Sequence, residues 1–406
     1  MIKKMVITLI LFSSAEFFRI VFLSSNIIFL IQFVITAMMF VILVVQEIYG
    51  KNGTIKLNFK SPIFLIYTGM FLSMIVAQAY HGQNYALTIW AQRYMYYYVF
   101  YFFLHFLKPD IKDLEKIVIS LGVIYALSYF VQYAIYPTTL FDVRQDADRG
   151  TIRIFLPGSS FLTIALFICL NRFYLNNKLI NVFLVLLFFS ILVLQGTRNS
   201  LAATALVIFY SLIFSKTIRS RYVIYFLVLL SFIPVYILFQ DIFAGLIELS
   251  EKESSSFESN IRVRAATFFL TDFFPNKLAY FFGNGQDHGR SEYGMRIGAY
   301  MLYRGYYQSD IGFIGEFSKF GIVFAIGAIW FLIKALTTKL KPEYAYIKYY
   351  IMRLCMLLPF GSSFTNSFSI VALCILIYII DKNIYILKEE KLEEEKVPDD
   401  AIPITQ

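Results

Sequence analysis

Tyr280–Ile322 reads YFFGNGQDHGRSEYGMRIGAYMLYRGYYQSDIGFIGEFSKFGI, and its character changes partway along. As far as Asp310 it mixes charges, glycines and aromatics without a sustained apolar run. From Ile311 it becomes an apolar segment long enough to enter a bilayer. It closes a polar stretch of about seventy residues, Asp241–Ser309, with hydrophobic runs on both sides. Any chemistry is therefore expected within or beneath this one large loop.

Composition agrees. A chain of 406 residues that is 59% hydrophobic and 16% charged lacks the polar residues to cover a soluble globule. The class expected is all-α, a polytopic membrane protein. Cys169, Cys355 and Cys374 all lie in apolar runs and suggest neither a disulfide framework nor a zinc site. The net charge of +9 is spread between the spans, so it points to membrane orientation and not to nucleic acid.

Hydropathy places spans at Met5–Leu23 (interrupted by Glu16 and Arg19), Asn26–Gln46, Ile63–Tyr80, Leu87–Leu107 and Ile117–Tyr136. Leu156–Tyr174, Leu179–Gln195, Leu201–Ser215 and Tyr222–Phe239 follow before the loop, then Ile311–Phe331, Tyr349–Phe360 and Phe368–Ile380. The first span lacks a small-residue cleavage site and is expected to be retained. The expected domains are helices 1–9 in residues 1–240, an outer loop in 241–309, helices 10–12 in 310–388, and a disordered cytosolic tail in 389–406. That tail is charged and holds Pro398 and Pro403. About twelve spans place both termini in the cytoplasm.

The two basic residue types divide differently. Of 21 lysines, only Lys252 and Lys277 fall in outer loops, with Lys319 near the outer end of its span. Arginine does the reverse: Arg144, Arg149, Arg153, Arg198, Arg262, Arg264, Arg290, Arg296 and Arg304 are all expected outside. Cations kept where orientation disfavours them suggest recognition of phosphate or carboxylate, which the planar guanidinium pairs bidentately. The plainer alternative is pairing with the eight acids of the loop.

Individual constellations carry two readings each. The hairpin QGTRNS, Gln195–Ser200, sets Arg198 among hydrogen-bonding side chains at the outer edge; it is an anchor or an anion site. Arg262 and Arg264 lie on a helix whose apolar stripe is expected to be Ala266, Phe269, Leu270 and Phe273, lying on the membrane surface or presenting arginine to a head group. Arg93 stands above Tyr94, Tyr97, Tyr98 and Tyr101, read as an interfacial aromatic belt or as a wall on which sugars stack. The glycines of FGNGQDHG match no nucleotide-binding fingerprint and read as a turn. His81, His105 and His288 have no metal-ligand spacing, so no metal site and no cofactor is expected.

Two groups compete for general base. Asp310 stands where the loop re-enters the membrane, where partial burial would raise a carboxyl toward the working pH; its plain alternative is a helix N-cap. His288 has the better ordinary pKa but sits between Gly285 and Gly289.

Together, a late large outer loop, the GTR turn, an Arg-bearing helix, FGNG and SDIGFIGEFSKFGI resemble the O-antigen and capsular (exopolysaccharide) polymerases of the O-antigen polymerase and ligase superfamily. The specific likeness is confined to Arg198, Arg262–Arg264, Gly283–Gly285 and Asp310–Gly321. Its ligase branch carries a His at the start of the last motif, whereas Tyr306–Asp310 reads YYQSD.

The resemblance implies a GT-C-like membrane glycosyltransferase in the bacterial cytoplasmic (inner) membrane, joining undecaprenyl-diphosphate-linked oligosaccharides at its outer face without a metal. Membrane lipids, a flippase and a chain-length regulator would be its partners. Arg198, Arg262, Arg264, Arg153 and Arg93 would hold diphosphate or sugar, with Asp310 or His288 as base. An O-antigen ligase, a lipid-linked oligosaccharide flippase and a non-catalytic scaffold remain the alternatives.

Overall fold

A backbone in hydrocarbon must satisfy its own hydrogen bonds, and a helix does so within one segment. The computed structural model describes residues 1–49, 56–148, 151–214, 260–361 and 363–394; the expected Tyr222–Phe239 span and the first part of the loop lie outside them. Helices α1 (Ile2–Ser14), α2 (Ser25–Tyr49), α3 (Lys60–His81), α4 (Tyr85–Ala91), α5 (Val99–Leu107) and α6 (Ile111–Ala134) come first. After a hairpin of β1 (Gln145–Asp148) and β2 (Thr151–Ile154) come α7 (Ser159–Asn176), α8 (Leu179–Leu194) and α9 (Arg198–Phe214). The loop contributes α10 (Ile261–Thr271), α11 (Lys277–Phe282) and α12 (Glu292–Arg304), and α13 (Phe313–Thr337), α14 (Tyr346–Leu357) and α15 (Ser367–Glu394) complete the described chain.

Among the described residues, six helices are long and apolar enough to cross a membrane: α2, α3, α6, α7, α13 and α15. The fold is that of an all-α membrane protein. Several expected spans have another form. Met5–Leu23 breaks at Ser14, where α1 gives way to a tight turn at Glu16–Arg19. Leu87–Leu107 is two short helices joined by a 3-10 segment at Arg93–Tyr98. Tyr349–Phe360 corresponds to the twelve-residue α14, shorter than the roughly 20 residues that a hydrocarbon core demands. The tail expected to be disordered from residue 389 begins as helix, because α15 continues to Glu394.

Close packing explains the architecture. Where α3 crosses α13, a side chain on Gly69 would lie 2.6 Å from the Phe324 amide and one on Gly327 2.9 Å from the Ile66 amide, so glycine lets the backbones approach. The run Ile370–Ile380 of α15 is buried throughout. Tyr97, Tyr98 and Tyr101 are fully buried too, donating to or sharing hydrogen bonds with Ser13 (2.7 Å), the Phe364 carbonyl (3.1 Å) and Asp381 (2.5 Å). They are core, not the aromatic belt or sugar wall expected from the sequence. Only Tyr94 of that set faces a cavity.

The loop helices have a core of their own. Ala265, Phe269 and Phe273 bury against Tyr293, Ile297 and Ile311. The apolar stripe of α10 therefore runs through residues four apart, and Leu270 is exposed rather than part of it.

Candidate functional site

Lysine-bearing ends gather on one side of the bundle. Lys4 at the start of α1 pairs with Asp113 at 2.8 Å, Lys334 donates to the Asn58 carbonyl, and Lys382 donates to the Pro109 carbonyl. The far end of α1, past Ser14, opens into a cavity of about 1730 Å³. This exceeds the usual range of about 300–1,000 Å³ for small-molecule sites. Among the described residues, eight arginines and Lys319 line it, with two carboxylates, Glu16 and Asp287. Arg19, Arg93, Arg144, Arg153, Arg198, Arg262, Arg290 and Arg353 come from segments spread across the chain.

On one wall, Arg353 of α14 donates Nε to Thr204 Oγ1 at 2.7 Å and a terminal nitrogen to Ser200 Oγ at 2.6 Å, tying α14 to α9. Arg153 of β2 donates Nε to the Gln195 carbonyl at 3.3 Å and lies over the Phe155 ring. It crosses directly above Gly196, where any side chain would meet its methylenes at 3.3 Å. Arg198, in the first turn of α9, completes this group. The turn Gln195–Ser200 is thus a platform that collects three guanidinium groups.

A second group in the lining is built on Arg93, which lies over the rings of Phe29 (3.9 Å) and Tyr94 (4.3 Å). Its terminal nitrogens donate to the Trp90 carbonyl and to the Tyr94 hydroxyl at 2.9 Å, and its Nε is buried without a hydrogen-bond partner. Tyr94 in turn donates to Glu16 Oε1 at 2.7 Å, and Arg19 donates to Glu16 Oε2. Glu16 to Arg19 form one left-handed turn, with φ of 53°, 50°, 57° and 55°. Left-handed backbone costs a residue with a side chain about 1–2 kcal/mol. Surrounding contacts hold it: the Asp142 amide donates to the Arg19 carbonyl at 2.7 Å and the Val21 amide to the Leu140 carbonyl at 3.1 Å. Phe18 packs edge-on against Tyr125.

The rim is the segment FGNGQDHG. Gly283 and Gly285 have φ of 78° and 82°, and the chain passes over a kink in α13 at Gly321 (φ 73°). The Gly285 amide donates to the Lys319 carbonyl at 2.7 Å, and the Asn284 side chain to the Ser318 carbonyl at 3.1 Å. What read as a turn is a docking strip. Gln83, 1% exposed, secures its other edge by accepting from the His288 amide (2.9 Å) and Ser291 hydroxyl (2.7 Å) and donating to the Gln286 carbonyl.

His288 lines the cavity with its pKa held below the ordinary 6.5 by partial burial and by the Arg290 and Arg93 charges, which Asp287 opposes. It is neutral at pH 7. Its Nδ1 accepts the Arg290 amide at 3.2 Å, which leaves the ring proton on Nε2. This imidazole is a hydrogen-bond donor toward an anion, and its geometry does not suit the base expected of it.

Of the residues singled out by sequence, Arg93, Arg153, Arg198, Arg262 and His288 share the cavity. Arg264 and Asp310 are outside its lining. Arg264 is exposed and lies over Tyr306. Asp310 is exposed in a 3-10 turn (Gln308–Ile311), so the partial burial that recommended it as a base is not present. Nor is it the N-cap of α13, which is Gly312. Glu16, Arg19, Gln83 and Arg353 were missed as site residues. Three of these are charges inside apolar runs, a signal that by default marks function.

The arrangement of the described residues suits a large anion: many guanidinium groups line one cavity, with apolar side chains close by. No family model and no curated protein matches the chain.

Proposed function

We propose that the protein is a polysaccharide polymerase, joining undecaprenyl-diphosphate-linked oligosaccharide units at the outer face of the bacterial cytoplasmic membrane. One observation supports this most, the arginine-lined cavity at the end of the bundle opposite Lys4, Lys334 and Lys382. By the positive-inside rule the lysine end faces the cytoplasm, so the cavity and loop face outward. The finer topology of about twelve spans with both termini inside belongs to this proposal as well.

Glycosyl transfer from a lipid diphosphate breaks the bond between the anomeric carbon and a phosphate oxygen, leaving its electron pair on the diphosphate. Fixed cations placed where that charge develops lower the barrier. Arg153, Arg198 and Arg353 form one such group, and Arg93, whose charge acts on His288 in the same cavity, adds to it. Binding donor and acceptor in one cavity brings them together and removes a large entropic cost.

The experiment is deletion of the gene with analysis of surface glycan. A polymerase predicts loss of long chains with single units retained. Loss of both would refute it and favour the ligase or flippase. The flippase reading has one observation behind it, since Arg93 and Arg353 lie inside expected spans. It also requires passage to the lysine end, where buried Asp381 accepts from Tyr101 and Asn58 and closes the packing.

A further inference from the structure

A displacement of this kind needs something to take the proton of the attacking hydroxyl, and the two groups recommended by sequence do not fit. Asp310 lies outside the cavity lining, and the free nitrogen of neutral His288 carries a proton. Of the described residues that line the cavity, the carboxylates are Glu16 and Asp287. Asp287 sits half-buried on the strip beside His288 and accepts from the adjacent Gln286 side chain. Glu16 is 5% exposed, and both of its oxygens are fixed from separate directions.

We infer that Glu16 is the catalytic carboxylate that accepts the proton of the acceptor sugar hydroxyl. The inference rests on the polymerase reading and deepens it. Three independent observations carry it. The first is backbone strain: four successive residues with side chains, two of them phenylalanine, take the left-handed conformation to turn the chain at Glu16. A turn needed only for chain reversal is made at lower cost with glycine or asparagine. Strain kept in place by surrounding contacts is characteristic of functional positions.

The second is direction in the hydrogen bonds. Arg93 donates to the Tyr94 oxygen, so the Tyr94 proton goes to Glu16 Oε1. The carboxylate is thereby linked by two hydrogen bonds to a guanidinium of the cavity lining. Each carboxylate oxygen keeps further acceptor capacity after its present partner. The third is position: Glu16 lines the same cavity as Arg153, Arg198 and Arg353 while belonging to the Arg93 group.

The step balances without any other reactant. The hydroxyl proton passes to Glu16, the hydroxyl oxygen forms the bond to the anomeric carbon, and the carbon–oxygen bond to the diphosphate breaks with its electron pair. Glu16 then returns its proton to the departing diphosphate or to water.

The test uses the full chain reconstituted in liposomes with lipid-linked repeat units taken from a strain lacking the gene. Wild-type protein must first lengthen these units; if it does not, the polymerase reading fails and the Glu16 inference with it. Given wild-type polymerisation, Glu16→Gln keeps the shape and the bond from Tyr94 but cannot take up a proton. We expect its rate to fall by about 10²–10⁴-fold, with retention of the lipid-linked unit by the protein unchanged. Glu16→Asp, which keeps a carboxylate, should recover part of the rate. A Gln variant that polymerises within threefold of wild type overturns the inference. So does equal loss of substrate retention and rate, which would make Glu16 a binding group only.

Discussion

Gly283→Ala and Gly298→Ala are the same chemical change, and the structure assigns them opposite signs. Gly283 has φ 78° and ψ 172°, a region open essentially to glycine alone at a cost of about 1–3 kcal/mol for other residues. A methyl there would stand 2.2 Å from the Lys319 carbonyl oxygen, about 1 Å inside even a close C–H···O contact of ~3.3 Å. That oxygen cannot yield freely, because it accepts the Gly285 amide at 2.7 Å. Forcing it aside adds an overpacking cost of about 1–3 kcal/mol and endangers a hydrogen bond worth about 1 kcal/mol. The total is about 3–7 kcal/mol of lost stability for the strip over α13. Gly298 lies inside α12 with nothing within 4 Å of the added methyl, so alanine there should gain about 0.5–1 kcal/mol from helix propensity. Intrinsic-fluorescence melting of detergent-purified protein should rank Gly298→Ala at or above wild type and Gly283→Ala well below it. Equal melting of the two variants would refute the docking of the strip on the kink.

Four further outcomes follow from the same geometry, those read in polymer on the proposed polymerase function. Arg353→Lys keeps the charge but loses the fork that spans Ser200 and Thr204; polymer length or yield should drop at normal expression, and normal polymer would remove Arg353 from the site. Arg262→Ala should reduce polymer several-fold while Arg264→Ala and Asp310→Asn leave it intact, as immunoblotting of surface glycan would show. Loss of polymerisation through protonation of His288 should be centred below pH 6.5, because burial and Arg290 depress its pKa below that value. A loss already centred above pH 6.5 would contradict that sign. A cysteine at exposed Gly289 should react with an impermeant thiol reagent from outside the cell, and one at exposed Lys112 should not; the reverse labelling would invert the orientation.

Local information in the sequence was enough for the class of protein. Hydrophobic run length and composition specify helices for a bilayer whatever their neighbours do, which is why α2, α3, α6, α13 and α15 fall close to their expected positions. The split between lysine and arginine was equally local, and it anticipated a site rich in guanidinium groups. It could not say which arginines meet. Arg262 and Arg264 were treated alike, yet residues two apart on a helix point about 200° apart, and only Arg262 lines the cavity. Long-range contacts decided the remainder. Arg353 joins the site through α9, 149 and 153 residues away, and Glu16 meets Tyr94 78 residues on. The left-handed turn at Glu16–Arg19 runs against the propensity of its own residues and persists because the 140–142 segment and the Phe18 packing hold it. Sequence reads what each segment prefers alone, and the site stands where tertiary contacts overrule that preference.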